Sequence, residues 1–200
     1  AMFDLIPGTI LSSRKINKRD VHLVLFLIDE VKEKLSLIDN KTRLSRYFYT
    51  SFKRRYDANK ILLNSNQINK KHKKHIIYIL NNLEDNNIRK DIGLVHRNIS
   101  LSNILYHKKR FYLLDFIHTD YDYVFSMYSG LITSAMMNRI DDEIVNYILK
   151  EIQSRLNKRQ NNIMISIAMM DLMKESIKYH KRFETFRKYC ERFGHQKIYR

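Results

Sequence analysis

Only four Gly and one Pro occur in 200 residues, so few positions can break a helix and most of the chain is free to be helical. The apolar spacing uses that freedom. Within residues 21–37, Val24, Leu27, Ile28, Val31 and Leu35 recur at helical spacing, with Asp29, Glu30, Lys32, Glu33 and Lys34 between them. That pattern predicts an amphipathic helix. Stretches 44–63 and 68–83 predict two more helices with one basic face each, and 141–156, 163–180 and 183–193 repeat the amphipathic pattern. No repeat with a period of about 20 to 50 residues points to a solenoid.

A mass of 24.3 kDa is one ordinary domain or two small ones, and 44% hydrophobic and 12% aromatic residues supply a buried core and argue against a disordered chain. The longest apolar runs, 22–28 and 163–170, fall far short of the ~20 residues that span a bilayer. No charged segment followed by an apolar one opens the chain. The single cysteine, Cys190, has no partner for an intramolecular bridge and is expected to be a packed thiol. The expectation is a soluble, cytoplasmic protein. Its net charge of +16 favours phosphate-bearing partners without naming one. Residues 1–100 hold 20 basic and 10 acidic groups and residues 101–200 hold 17 and 11, so the excess is no basic tail.

The helical period fails between Gly93 and Phe116. Leu94-Val95, Ile104-Leu105-Tyr106 and Phe111-Tyr112-Leu113-Leu114 are short apolar runs separated by polar turns, and His107-Lys108-Lys109-Arg110 reads as the turn of a hairpin. This segment also carries the residues with chemistry. It runs His96-Arg97-Asn98-Ile99-Ser100-Leu101-Ser102-Asn103-Ile104-Leu105 and reaches Asp115-Phe116 twelve residues after Asn103.

Those residues and their spacing resemble the catalytic and metal-binding loops of the protein-kinase-like superfamily, whose pattern is H-x-D-x-x-x-x-N followed by an apolar pair and then D-F. The lead-in Leu94-Val95-His96 and the absence of a later Ala-Pro-Glu are closer to aminoglycoside phosphotransferases and choline kinases than to regulated protein kinases. The resemblance implies a mainly α fold equivalent to the C-terminal lobe of such enzymes, with a short β hairpin carrying the loops. It implies ATP and Mg²⁺ as cofactors and a nucleotide plus a hydroxyl-bearing small molecule or glycan as partners. Asn103 and Asp115 would hold Mg²⁺, Ser100 or Arg97 would touch phosphate, and His96 would organise the loop. Asp120-Tyr121-Asp122 resembles the acidic brace of those loops. The departure is Asn98, which stands where the family keeps the aspartate that accepts the hydroxyl proton. An amide cannot take that proton, and losing a general base slows a reaction about 10²- to 10⁴-fold.

Residues 3–11, with Pro7 and Gly8, resemble the linker between the two lobes of such kinases. The expected division is therefore a hinge-like segment over 1–11 and one lobe over 12–200. No Gly-rich loop, strand lysine or partner glutamate precedes it, so a missing N-terminal lobe joins the expected partners. Three functions stay open. The first is an impaired or incomplete phosphotransferase, with natural loss of the base ahead of an engineered trap or a variant that sends the proton to solvent. The second is a pseudokinase scaffold for an acidic partner.

The third is a nucleic-acid binder using the basic, aromatic segment 43–60. It ranks last, because a Tyr- and Phe-lined helix with Lys and Arg outside needs no ligand. Under the first reading, the same basic surface would attract an anionic acceptor. His72 and His75 sit in a lysine run that repels a cation, so they are expected on a solvated face and not at zinc. His180 and His195 are isolated, and the Met136-Met137 and Met169-Met170 pairs are expected in the core.

Overall fold

Helix α1 (Lys18–Ile38) starts where Asn17 and Asp20 cap each other. The Asp20 N–H donates to the Asn17 side-chain oxygen at 3.0 Å, and the Asn17 N–H donates to the Asp20 carboxylate at 3.1 Å. This reciprocal cap settles the first turn. Arg14 lies 3.3 Å from both oxygens of the buried Asp20. The helix then buries Val21, Val24, Leu25, Ile28, Val31 and Leu35. This is the expected stripe, with Leu27 at its half-buried margin.

The computed structural model describes residues 7–38 and 91–178, with 57, 60, 63, 64, 73, 74, 77 and 81 between them. The helices expected over 44–63, 68–83 and 183–193 lie outside the described residues, apart from isolated positions. So do most of segment 43–60, His72, His75, His180, His195 and Cys190.

The three apolar runs of the middle segment become strands β2 (Ile92–His96), β3 (Ile104–His107) and β4 (Arg110–Leu113). With β1 (Thr9–Ile10) and β5 (Thr119–Tyr123) they form two small antiparallel sheets, β1-β3-β4 and β2-β5. In the hairpin His107 pairs with Arg110, leaving Lys108 and Lys109 as a two-residue turn with φ of 46° and 64°. A left-handed backbone at both positions is what a twisted two-residue hairpin requires. Strand β5 has no apolar alternation to announce it. It is held by pairing with β2 from Ile92–Tyr123 to His96–Thr119.

Helix α2 (Ser126–Met137) is equally silent in the sequence, because it is buried around almost its whole circumference and has no polar face. Helices α3 (Asp142–Gln153) and α4 (Lys158–Lys178) pack against it. Met136, Met169 and Met170 are buried there. The result is a mainly α lobe with a short hairpin, as the sequence led us to expect. Among the described residues, no helix is long and apolar enough to cross a membrane.

Helix α2 ends in a Schellman motif. The Ile140 N–H donates to the Ala135 carbonyl at 3.1 Å and the Arg139 N–H to that of Met136 at 3.2 Å, with Arg139 left-handed at φ 54°. Glycine is the ordinary occupant of that position, and a side chain there is strained. Replacing Arg139 by Gly should therefore raise stability by about 1 kcal/mol, read as a higher urea midpoint with an unchanged slope.

Candidate active site

Strand β2 delivers His96 into the core, where the residue is 0% exposed, and the chain turns at once into the loop that ends at β3. The Asn98 N–H donates to His96 Nδ1 at 3.3 Å. Nδ1 is then the acceptor, so Nε2 carries the proton and donates to the Leu114 carbonyl oxygen at 3.0 Å. The ring of Phe116 meets the imidazole edge-on, with centroids 4.9 Å apart. Burial pushes the His96 pKa down, and its hydrogen bonds around Leu114 and Asp115 oppose that shift only in part. The ring is neutral at neutral pH, and it clamps the start of the loop to the segment that carries Asp115.

Three more contacts gather the polar residues. The Leu114 N–H donates to the Asn103 carbonyl oxygen at 2.8 Å. Asn103 Nδ2 donates to the Asn98 carbonyl oxygen at 3.0 Å, and Asn98 Nδ2 donates to Asp115 Oδ2 at 3.3 Å. Asn98, Asn103 and Asp115 thus form one connected group. Asp115 is left-handed, at φ 60° and ψ 57°, a conformation that Asp and Asn tolerate better than most side chains.

The other candidates lie apart. Ser100 Oγ is 2.8 Å from Ser102 Oγ. Arg97 lies 3.2 Å from Asp120 and 3.9 Å from the buried Asp122, so β5 braces the loop through an ion pair.

His118, marked in the sequence only by its place after Asp115, puts Nε2 3.7 Å from Asp115 Oδ2. Two contributors were not singled out from the sequence. Ser134 of α2 accepts the buried Leu101 N–H at 2.8 Å. A Cβ on Gly130 of the same helix would stand 2.7 Å from the Ile99 carbonyl oxygen, so only glycine lets α2 support the loop this closely. The signal for His118 was its place three residues after Asp115, whereas nothing marked α2. An open cleft of about 400 Å³ adjoins the group, lined by Arg97, Asn98 and residues Ile117 to Asp120.

The donor set fits a hard divalent cation. Asp115 offers an exposed carboxylate, and among the described residues the Asn103 side chain bonds only through its amide nitrogen, leaving Oδ1 available. Among the described residues no group of three or more His, Cys, Asp or Glu side chains is placed to hold a metal by itself. Further ligands would come from phosphate and water, the usual habit of Mg²⁺.

No protein-family model matches the sequence, and no curated protein matches it. Solved structures do. An amicoumacin kinase in complex with AMP-PNP, Ca²⁺ and Ami superposes with a TM-score of 0.57 at 17% identity, over 92% of this chain and 64% of that one. Choline kinase from Cryptosporidium parvum Iowa II gives 0.53 at 10% identity, over 98% and 71%. An aminoglycoside-3'-phosphotransferase of type VIII gives 0.50 at 11%, over 84% and 66%. The chain shares its fold with these solved kinases. It spans 64% and 66% of the length of the amicoumacin kinase and the aminoglycoside phosphotransferase, somewhat under two thirds of each. Within this kinase-like lobe, His96, Asn98 and Asn103 lie on the loop after β2, and Asp115 lies between β4 and β5.

The buried imidazole gives a pH prediction. Its pKa is lower in the folded chain than the usual 6.5, so below about pH 6.5 the unfolded chain binds a proton that the folded chain refuses. The His96 contribution to stability is therefore complete above that pH. It is lost as the pH falls, by at most about 1.4 kcal/mol per pH unit. Proton NMR should find the His96 titration midpoint below pH 6.5, and a midpoint at or above 6.5 would contradict the assignment.

Proposed function

We propose that this chain is a phosphotransferase lobe that places the γ-phosphate of ATP against a hydroxyl of a small molecule or sugar, slowed because Asn98 replaces the base. The observation that carries the reading is the connected group Asn98–Asp115–Asn103, clamped by His96, in a fold shared with small-molecule kinases. Asn103 and Asp115 would hold Mg²⁺, and Ser100 is the nearest loop hydroxyl for a phosphate oxygen. When bound, that cation would neutralise charge on the nucleotide phosphates.

The chain's own residues supply position. His96 fixes the loop, Arg97 braces it through Asp120, and the Asn98 side-chain oxygen is free to accept a hydrogen bond from the acceptor hydroxyl. The bond between the β–γ bridging oxygen and the γ-phosphorus breaks as the hydroxyl oxygen bonds to that phosphorus. The hydroxyl proton leaves to water, since an amide cannot keep it. A cytoplasmic address belongs to the same reading, because ATP is the donor.

A second reading is a pseudokinase scaffold. It is favoured by the bond from Asn98 Nδ2 to Asp115 Oδ2, which satisfies the metal-binding carboxylate within the protein.

Calorimetry with ATP and Mg²⁺ separates the two. Metal-dependent binding that vanishes in Asp115→Asn supports the phosphotransferase; that variant keeps a side chain suited to the left-handed backbone. No heat at millimolar ATP would leave the scaffold. In Asn98→Asp, Mg²⁺-dependent release of phosphate from ATP should rise about 10²- to 10⁴-fold. The same variant sets two carboxylates where an amide now donates at 3.3 Å, so its thermal midpoint should fall in chelator and recover with Mg²⁺.

A further inference from the structure

A second cavity, of about 680 Å³, lies between the segment that enters α1 and the turn that joins α2 to α3. Five cations line it, Arg14, Lys15, Lys18, Arg19 and Arg139, against the acids Asp141 and Glu143. Two of the five are committed. Arg14 reaches both Asp20 oxygens and lies over the Tyr106 ring, 4.1 Å from its centroid, and Lys18 Nζ is 2.7 Å from Glu143. Asp141 accepts the Glu143 N–H at 2.8 Å as the cap of α3. The side chains of Lys15, Arg19 and Arg139 form no hydrogen bond or ion pair with any described residue. Among the described residues, three cations without a side-chain partner therefore line one concave place, and Asp141 is the acid there that pairs with no described cation.

Arg139 sharpens the point. It occupies the left-handed position where glycine would be relaxed, so the chain keeps a strained backbone at a cationic residue that lines this cavity. Segments flanking the two walls are tied to the candidate catalytic loop. The Leu11–Ser13 turn just before Arg14 packs on the Leu101–Asn103 turn, and Ser134 in the last turn of α2 accepts the Leu101 N–H.

We propose that this cavity binds the phosphate group of a phosphorylated alcohol or sugar that serves as the acceptor. The inference rests on the phosphotransferase reading, which leaves the class of acceptor open. Guanidinium and ammonium groups fit a phosphate dianion and repel a cationic acceptor. The nucleotide's own phosphates present the same chemistry, so the test must separate the two sources.

The full chain is titrated calorimetrically with glycerol 3-phosphate, with glycerol, and with ATP plus Mg²⁺. The phosphate ester should bind and glycerol should not. Arg139→Gly and Arg19→Ala should each weaken the ester about tenfold, the loss of one charge-assisted contact, while ATP binding holds. Arg139→Gly is expected to be the more stable protein, so its loss of affinity would not be unfolding. Asp115→Asn should do the reverse, losing ATP and keeping the ester. The proposal is overturned if the wild-type chain does not bind the ester, or if both arginine variants bind it unchanged. It is also overturned if Asp115→Asn abolishes both ligands, which would put the phosphate in the nucleotide site. Arginine-dependent ester binding without any ATP binding would uphold the anion site but remove the phosphotransferase reading and, with it, the acceptor role.

Discussion

The neutral imidazole of His96 is the joint on which the two functional segments hang. Its Nδ1 takes the Asn98 N–H and its Nε2–H goes to the Leu114 carbonyl oxygen, so one buried ring satisfies a donor on the loop and an acceptor beside Asp115. No aliphatic side chain does both, and an unpaired buried N–H or C=O group costs about 1–3 kcal/mol. A protonated ring would face the Asn98 N–H with a second donor. Burial is therefore what makes the clamp work, because the environment that holds the ring neutral also preserves the acceptor the loop needs.

Asn98 shows how stability and chemistry pull against each other at such a site. With Asn, Asp115 gains a donor at 3.3 Å and the group is settled without any cation. With Asp, two carboxylates would meet there and each would raise the other's pKa until a metal or proton intervened. The residue that favours the metal-free fold is thus the one that cannot accept a proton. Sites that bind charge commonly give up stability for function, and this chain has the more stable choice at that position.

What the sequence disclosed and what it hid divide along physical lines. Helix α1 was legible because one face meets the core and the other meets water, and the β3–β4 hairpin because apolar runs flank a polar turn. The loop residues were legible because their spacing is fixed along the chain. Helix α2 was not, since a helix buried all round has no stripe, and β5 was not, since Asp120 and Asp122 belong to an ion pair with Arg97 rather than to an apolar face. Ser134 and Gly130 share that fate. They support the loop from α2 across long sequence separations, through a side-chain hydroxyl and a missing Cβ, and neither leaves a local pattern.

The charge follows the same logic. The +16 excess is spread over both halves of the sequence, so composition alone attracts phosphate without saying where. Folding sorts it. Arg97, Arg155 and Arg159 are consumed by Asp120, Glu151 and Asp91, while Lys15, Arg19 and Arg139 line one cavity. Such an arrangement bears on how a lobe without a general base can still favour transfer. Losing the base removes about 10²- to 10⁴-fold, whereas holding two reactants in line is worth an effective concentration of up to about 10⁵–10⁸ M. On the proposed function, an acceptor held by contacts remote from its hydroxyl has that hydroxyl restricted. In phosphoryl transfer, where the protein contributes mainly position and charge, that restriction can outweigh the missing carboxylate.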